Sequence, residues 1–337
     1  MNTGSIALHR FALFTAVSTF LLIFLGGLVT STGSGLSVPD WPTTYGENMF
    51  TYPIDKWVGG IKYEHGHRLF ASFVGFLTVI LAVWLGMKEE RKWVRVLGYS
   101  ALAAVSFQGL LGGLTVLFLL PTPISVAHGM LAQSFFCLVA SIALITSPWW
   151  KRTTDGIAEA TIQPLFRIAI VALLAVFLQL LFGAVLRHTY SGLSVPDFPL
   201  AYGQLFPSLS PESMAAYNQH LIDSGIKWKG DVPVQAYQIV VHMLHRTWAY
   251  VVAIIVFVLG YRMKRSTILP AKMASVGTIL MSLITLQFLL GILTVLTRKE
   301  YIITSLHVVI GALVLVTCCV TLVAMLRLRW LAMPKGE

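Results

Sequence analysis

The sequence predicts an all-α membrane protein: eight transmembrane helices arranged as two tandem four-helix bundles, related by a pseudo-two-fold axis along the membrane normal. Three observations carry that prediction. The 337 residues are 56 % hydrophobic and only 11 % charged, with a mean hydropathy of +0.78, whereas soluble domains carry about 25 % charged residues. Eight apolar stretches approach the roughly 20 residues that cross a hydrocarbon core as a helix. The second half of the chain also repeats landmarks of the first.

Span 1 (10–31) begins close to Met1 and is followed by no small-residue cleavage site, so it reads as an uncleaved anchor with no transit segment ahead of it. Spans 2 to 4 (67–87, 93–119 and 124–147) complete the first half. Spans 5 to 8 (164–186, 242–262, 270–296 and 302–326) form the second. None shows the sustained period-2 alternation of barrel strands. Arg10, the cluster Lys88, Arg91, Lys92 and Arg95, and Lys151, Arg152 and Arg167 fall on the side of the N-terminus. So do Arg262, Lys264, Arg265, Lys272, Arg327, Arg329 and Lys335, making 15 of the 24 lysines and arginines. The positive-inside rule then places both termini in the cytoplasm. A bacterial plasma membrane is the simplest home. The net charge of +10 orients helices in a lipid bilayer and implies no nucleic-acid partner.

The internal repeat has two parts. Residues 32–46 (TGSGLSVPDWPTTYG) match residues 189–203 (TYSGLSVPDFPLAYG) at 11 of 15 positions, at an offset of 157. Gln108, Leu111-Gly112 and Leu114-Thr115-Val116 match Gln287, Leu290-Gly291 and Leu293-Thr294-Val295, at an offset of 179. A longer polar loop between Gly203 and His245 absorbs most of the difference. Four spans per unit give both units the same orientation, with the axis along the membrane normal. Residues 1–150 and 151–337 are the two predicted units. The SGLSVPD segments, rich in turn formers, follow spans 1 and 5 on the outer face. They read either as caps over two similar cavities or as a shared folding turn.

Four histidines sit at matched positions in these units. His67 precedes His128 by 61 residues and His245 precedes His307 by 62, and each pair begins with a His-Arg step, His67-Arg68 and His245-Arg246. All four lie at outer ends of spans, where an ionisable side chain is costly unless partnered. Helices 2 and 4 can clamp one planar group and helices 6 and 8 another. Haem is the natural occupant of a paired-imidazole site. Arg68 and Arg246 are placed to reach a haem propionate in bidentate geometry.

The halves differ at one place. Glu64 lies three residues before His67, whereas His242 lies three before His245. A partly desolvated carboxylate can act as base, proton relay or ligand, so the first site reads as the one that does chemistry and the second as the holder of a permanent cofactor. His9, His65, His188 and His220 are expected in surface roles. Cys137, Cys318 and Cys319 lie inside spans and imply no disulfide framework. CxxC pairs, HExxH, P-loop and Rossmann glycine patterns are absent from the sequence.

In combination, the eight spans in two repeats, the EHGHR motif, the second His-Arg, the single histidines opening spans 4 and 8 and the SGLS loops closely resemble the haem A synthase family, over essentially the whole chain. The resemblance implies oxidation of haem O to haem A, a ring methyl becoming a formyl group by successive hydroxylations, to supply respiratory terminal oxidases. It implies that His245 and His307 bind a resident haem b that passes electrons. It implies that His67 and His128 flank the substrate haem, with Glu64 the essential carboxylate. A membrane electron donor, haem O synthase and oxidase-assembly proteins are the implied partners. Some family members carry a cysteine pair in the first outer loop; residues 31–66 of this chain have none. On residues alone, a quinol-linked di-haem b-type cytochrome and a transporter are the competing classes.

Overall fold

The computed structural model describes residues 3–153, 156–226 and 233–332. Lys335, counted among the inner charges, lies outside them. The helices run α1 (Thr3–Ser31), α2 (Ile61–Lys88), α3 (Lys92–Leu117), α4 (Thr122–Thr146), α5 (Pro148–Arg152), α6 (Glu159–His188), α7 (Pro211–Asp223), α8 (Ala236–Arg265), α9 (Ala271–Leu296) and α10 (Tyr301–Ala332). All except α5 and α7 are long and apolar enough to cross a membrane. In hydrocarbon every backbone N–H and C=O must be satisfied within the span, which only helices or closed barrels achieve. The protein is an all-helical, multi-pass membrane protein.

Several helices extend beyond the apolar runs that announced them. α2 begins six residues before His67 and α8 nine before His245, because backbone hydrogen bonding continues through polar residues once a helix is nucleated. Glu64 therefore stands in the first turn of α2. The loop between Gly203 and His245 contains α7, whose start is fixed by Ser210 accepting from the Ser213 N–H. This helix packs Tyr217 and Leu221 onto Val195 and Ala201 of the second repeated loop.

Helix packing follows two closed rings. α1 packs on α2, α2 on α3, α3 on α4 and α4 back on α1; α6, α8, α9 and α10 follow the same sequence. Within each ring the helices bearing paired histidines, α2 with α4 and α8 with α10, stand diagonally. The rings meet where α10 packs on α1 and α4, and α4 on α6. α4 and α10 are consequently the most enclosed spans, with 50 % and 56 % of their most apolar windows buried, against 17 % for α3 and α9. Ile23, Phe136, Val309, Ala312 and Val316 fill the seam.

The two repeated loops adopt one conformation. Thr44 pairs with Glu47 and Ala201 with Gln204 in isolated bridges. Tyr45 and Tyr202 both take left-handed φ, at 52° and 53°, and each hydroxyl donates back to a loop carbonyl, Ser37 O and Ser194 O. The glycines that follow, Gly46 and Gly203, have φ of 78° and 77°, where a side chain is disfavoured.

Candidate functional site

Each of the four histidines is seated against a glycine on a neighbouring helix. A Cβ at Gly26 would stand 3.1 Å from Nε2 of His67. At Gly112, Gly183 and Gly291 it would stand 3.1, 3.0 and 3.1 Å from Cε1 of His128, His245 and His307. Absence of a side chain is what lets the imidazole lie against the helix backbone. Gly26 and Gly183 are 157 residues apart, and Gly112 and Gly291 are 179 apart, the offsets of the two sequence repeats. The Gly112–Gly291 pair belongs to the matched Leu-Gly step. The Gly26–Gly183 pair was detectable only by carrying the loop offset back into span 1.

Glutamines support the rings. Gln108 Nε2 lies 3.3 Å from His128 Nε2 and donates to the His128 carbonyl at 3.0 Å. Gln179 Nε2 lies 3.2 Å from His245 Nδ1 and donates to the His245 carbonyl at 3.1 Å. Gln179 escaped the sequence reading because its counterpart in the first half is Leu22.

His245 and His307 face one another with ring centroids 6.5 Å apart and planes at 82°. A metal bound at about 2 Å to one nitrogen of each ring requires centroids about 6 Å apart, a separation close to that of this pair. The Nδ1 atoms of His128 and His307 are buried without a hydrogen-bonded partner among the described residues. Neutral imidazole nitrogens between apolar helices are suitable axial donors to haem iron.

Arg68 and Arg246, expected at propionates, hold the outer loops in this structure. Arg68 Nη1 donates to Asp40 O and Thr43 O at 2.7 and 3.1 Å, and Nη2 to Val38 O at 2.7 Å and to Glu64 Oε1 at 2.7 Å. Arg246 donates to Leu200 O at 3.1 Å and Asp197 O at 2.7 Å. On a helix, residue i+1 points about 100° away from residue i, so an arginine beside a histidine does not share its direction. The guanidinium forks grip backbone carbonyls and tie the repeated loops over the helix ends.

Glu64 and His242 complete these latches. Glu64 is 4 % exposed and its Oε2 accepts the Val38 N–H at 2.8 Å. His242 is 3 % exposed; its Nδ1 lies 3.0 Å from Ser191 O and its Nε2 3.2 Å from Arg246 Nη2. This pattern assigns the proton to Nδ1, with Nε2 accepting. His242 is thus the neutral replacement for Glu64 in the second latch. In the outer loop, burial raises the pKa of Asp40, but the Gly46 N–H, the Thr43 hydroxyl and the Tyr45 N–H outweigh it and hold the carboxyl below its ordinary value.

One expectation is corrected. His65 is not at the surface: it is fully buried, with Nδ1 3.0 Å from Thr44 Oγ1 and its ring against Trp57 and Tyr52 at 4.6 and 5.3 Å. The first outer loop folds back over α2, and an aromatic box replaces water around the ring. His220 is exposed as expected. His9 and His188 are half-buried, His9 with Nδ1 2.9 Å from Ala143 O.

Two rings of membrane helices, each carrying two histidines seated on glycines and an outer loop latched to a helix end, define a multi-pass membrane protein with a matched histidine site in each half. The family model of the cytochrome oxidase assembly proteins, COX15-CtaA, matches residues 9–59 and 58–320. The chain belongs to that family. It is 25 % identical to the heme A synthase of Halalkalibacterium halodurans over 93 % of this chain and 95 % of that protein. It is likewise 25 % identical to the heme A synthases of Shewanella oneidensis, over 90 % and 92 %, and Sphingopyxis alaskensis, over 96 % and 92 %.

Proposed function

We propose that the protein is a haem A synthase whose two halves have divided the work: residues 1–150 hold the substrate haem O between His67 and His128, and residues 151–337 hold a resident haem b between His245 and His307. The observation that carries this reading is one substitution within two otherwise matching latches. A carboxylate, Glu64, stands one turn from His67, where a neutral imidazole, His242, stands one turn from His245.

Conversion of the ring methyl of haem O to a formyl group takes two successive hydroxylations, each a two-electron oxidation by an oxidant from outside the chain, to an alcohol and then to the geminal diol, the hydrate of the formyl group, which loses water. Protons must leave the reacting carbon's oxygen substituent at the second stage. Glu64 is the nearest carboxylate on the His67 face of α2 and acts as proton acceptor at Oε2, held by Arg68 and the Val38 amide. The resident haem supplies electron transfer when bound. The chain holds it by the imidazoles of His245 and His307, orients it through the Gly183 and Gly291 seats and excludes water with the outer loop. Arg68 and Arg246 act on both sites through the loops they hold. Both termini face the cytoplasm of a bacterial plasma membrane, with a membrane electron donor, haem O synthase and oxidase-assembly proteins as partners.

Co-expression with a haem O source, followed by pigment extraction and chromatography, tests the reading. Formation of the formyl-bearing pigment, with one stoichiometric haem b in the purified protein, is the expected result. Two tightly held haems b and no formyl product would make it an electron-transfer cytochrome instead.

A further inference from the structure

The two rings differ at the outer end of the seam, where the second carries two cations that the first lacks. Arg187 lies four residues beyond Gly183 on α6, hence on the same face and one turn, about 5.4 Å, further out than the seat of His245. Its Nη2 donates to Gly27 O at 2.8 Å and Ser31 Oγ at 2.9 Å. Ser31 in turn accepts from Ser305 Oγ at 3.1 Å, two residues before His307. Among the described residues Arg187 makes no ion pair, and its Nε and Nη1 have no protein acceptor.

Lys299 reaches the same place from the turn before α10. Its stem lies over Gly192: a Cβ there would meet Lys299 Cδ at 3.3 Å and Leu186 Cδ2 at 3.5 Å. Lys299 also makes no ion pair among the described residues, and the adjacent Glu300 uses Oε2 to accept the Ile303 N–H at 2.8 Å. In the first half the same glycine position, Gly35, meets Leu120 Cδ1 at 3.4 Å and Val29 Cγ1 at 3.9 Å. Leu120 and Lys299 occupy matching left-handed turns, with φ of 60° and 64°, and they are 179 residues apart. The counterpart of Arg187 is Thr30, 157 residues earlier. Cations therefore replace neutral residues at two equivalent positions, on separate elements, in one half only.

We infer that Arg187 and Lys299 form a carboxylate-binding site for the propionates of the haem held by His245 and His307, and that its absence from the first half lets the haem held there be exchanged. The inference rests on the division of haems proposed above. Half-buried cations without acids are costly, and two carboxylates of the occupant would offset both charges. Burial, and then the charge of Arg187, push the Lys299 ammonium below its ordinary value, a cost that an adjoining anion relieves.

The test uses the purified full-length protein with its resident haem b, and follows loss of that haem to apomyoglobin together with the haem midpoint potential. Lys299→Leu, which copies the first half, is expected to speed haem loss about tenfold, the loss of one charged hydrogen bond. It should also lower the midpoint, because removing a cation favours the ferric state. Arg187→Gln should act in the same direction and Arg187→Lys should restore much of the effect. Should Arg187→Gln fail to accumulate through loss of its α1 contacts, Lys299→Leu decides alone. Unchanged haem loss and midpoint in Lys299→Leu would overturn the inference. His245→Ala separates the two failures: if that variant keeps its resident haem, the division of haems is wrong, whereas if it loses the haem while Lys299→Leu behaves as wild type, only the propionate site is wrong.

Discussion

Arg68 Nη2 donates to Glu64 Oε1 across 2.7 Å, four residues apart on one face of α2, while Nη2 and Nη1 together hold three carbonyls of the outer loop. The carboxylate and the loop over it are therefore mechanically one unit. His242 and Arg246 form the corresponding unit in the other half without a carboxylate. A chemical role and a closing role can be separated by exchanging these residues.

Glu64→His copies the second latch into the first. It should keep the outer loop closed yet lower conversion of haem O about a hundredfold or more, the range seen when a general base is lost. The resident haem spectrum should stay unchanged. Extracted pigments report the conversion, and the reduced-minus-oxidised spectrum reports the haem. Loss of that spectrum would show Glu64 to be structural.

The glycine seats predict a split between the halves. Gly183→Ala crowds His245 at 3.0 Å and Gly26→Ala crowds His67 at 3.1 Å, each an overpacking of about 1–3 kcal/mol. Gly183→Ala should reduce haem b per polypeptide in the purified protein. Gly26→Ala should leave haem b stoichiometric and reduce product. The same loss of haem b in both variants would contradict the division.

Arg246→Lys keeps the charge but removes the fork that spans Leu200 O and Asp197 O. A lysine cannot reproduce both bonds, so closure of the second loop weakens by about 1.5–3 kcal/mol. Hydrogen exchange over residues 195–203 should rise at least tenfold. Rates equal to wild type would remove Arg246 from the latch.

Asp40 gives the first loop a pH dependence of definite sign. Its folded pKa lies below the ordinary value of 3.8, so its stabilisation is fully present above that value and is lost as pH falls through the lower folded pKa. Pepsin cleavage between residues 31 and 60 should therefore be faster in Asp40→Asn than in wild type near pH 5. The two rates should converge only well into the acid range, below about pH 3.8. Convergence at a higher pH would mean that Asp40 is not held by Gly46, Thr43 and Tyr45.

The spans, the repeat and the four histidines were legible because each is a local departure from a uniform background: apolar runs from polar loops, imidazoles from apolar runs, SGLSVPD from helix-forming sequence. Glu64 and His242 were legible as an unequal pair, although where each side chain points was not. The glycine seats were hidden because small residues occur throughout membrane helices for packing alone. His65 was misplaced because loop residues Tyr52 and Trp57, invisible to helical periodicity, close over it. Arg187 and Lys299 were hidden because they break the repeat instead of matching it.

Hydropathy and the duplicated motifs, read along the chain, determined the membrane-embedded helical class, the family and the four matched histidines. Those properties follow from how apolar each stretch is and from spacing within one helix. Tertiary packing alone decided that α8 and α10 stand diagonally with His245 and His307 6.5 Å apart, and that both arginines close loops. It also brought Arg187, on α6, and Lys299, in the turn before α10, to one place. Side-chain direction and contacts between distant segments arise from helices packing against each other, and no local pattern encodes them.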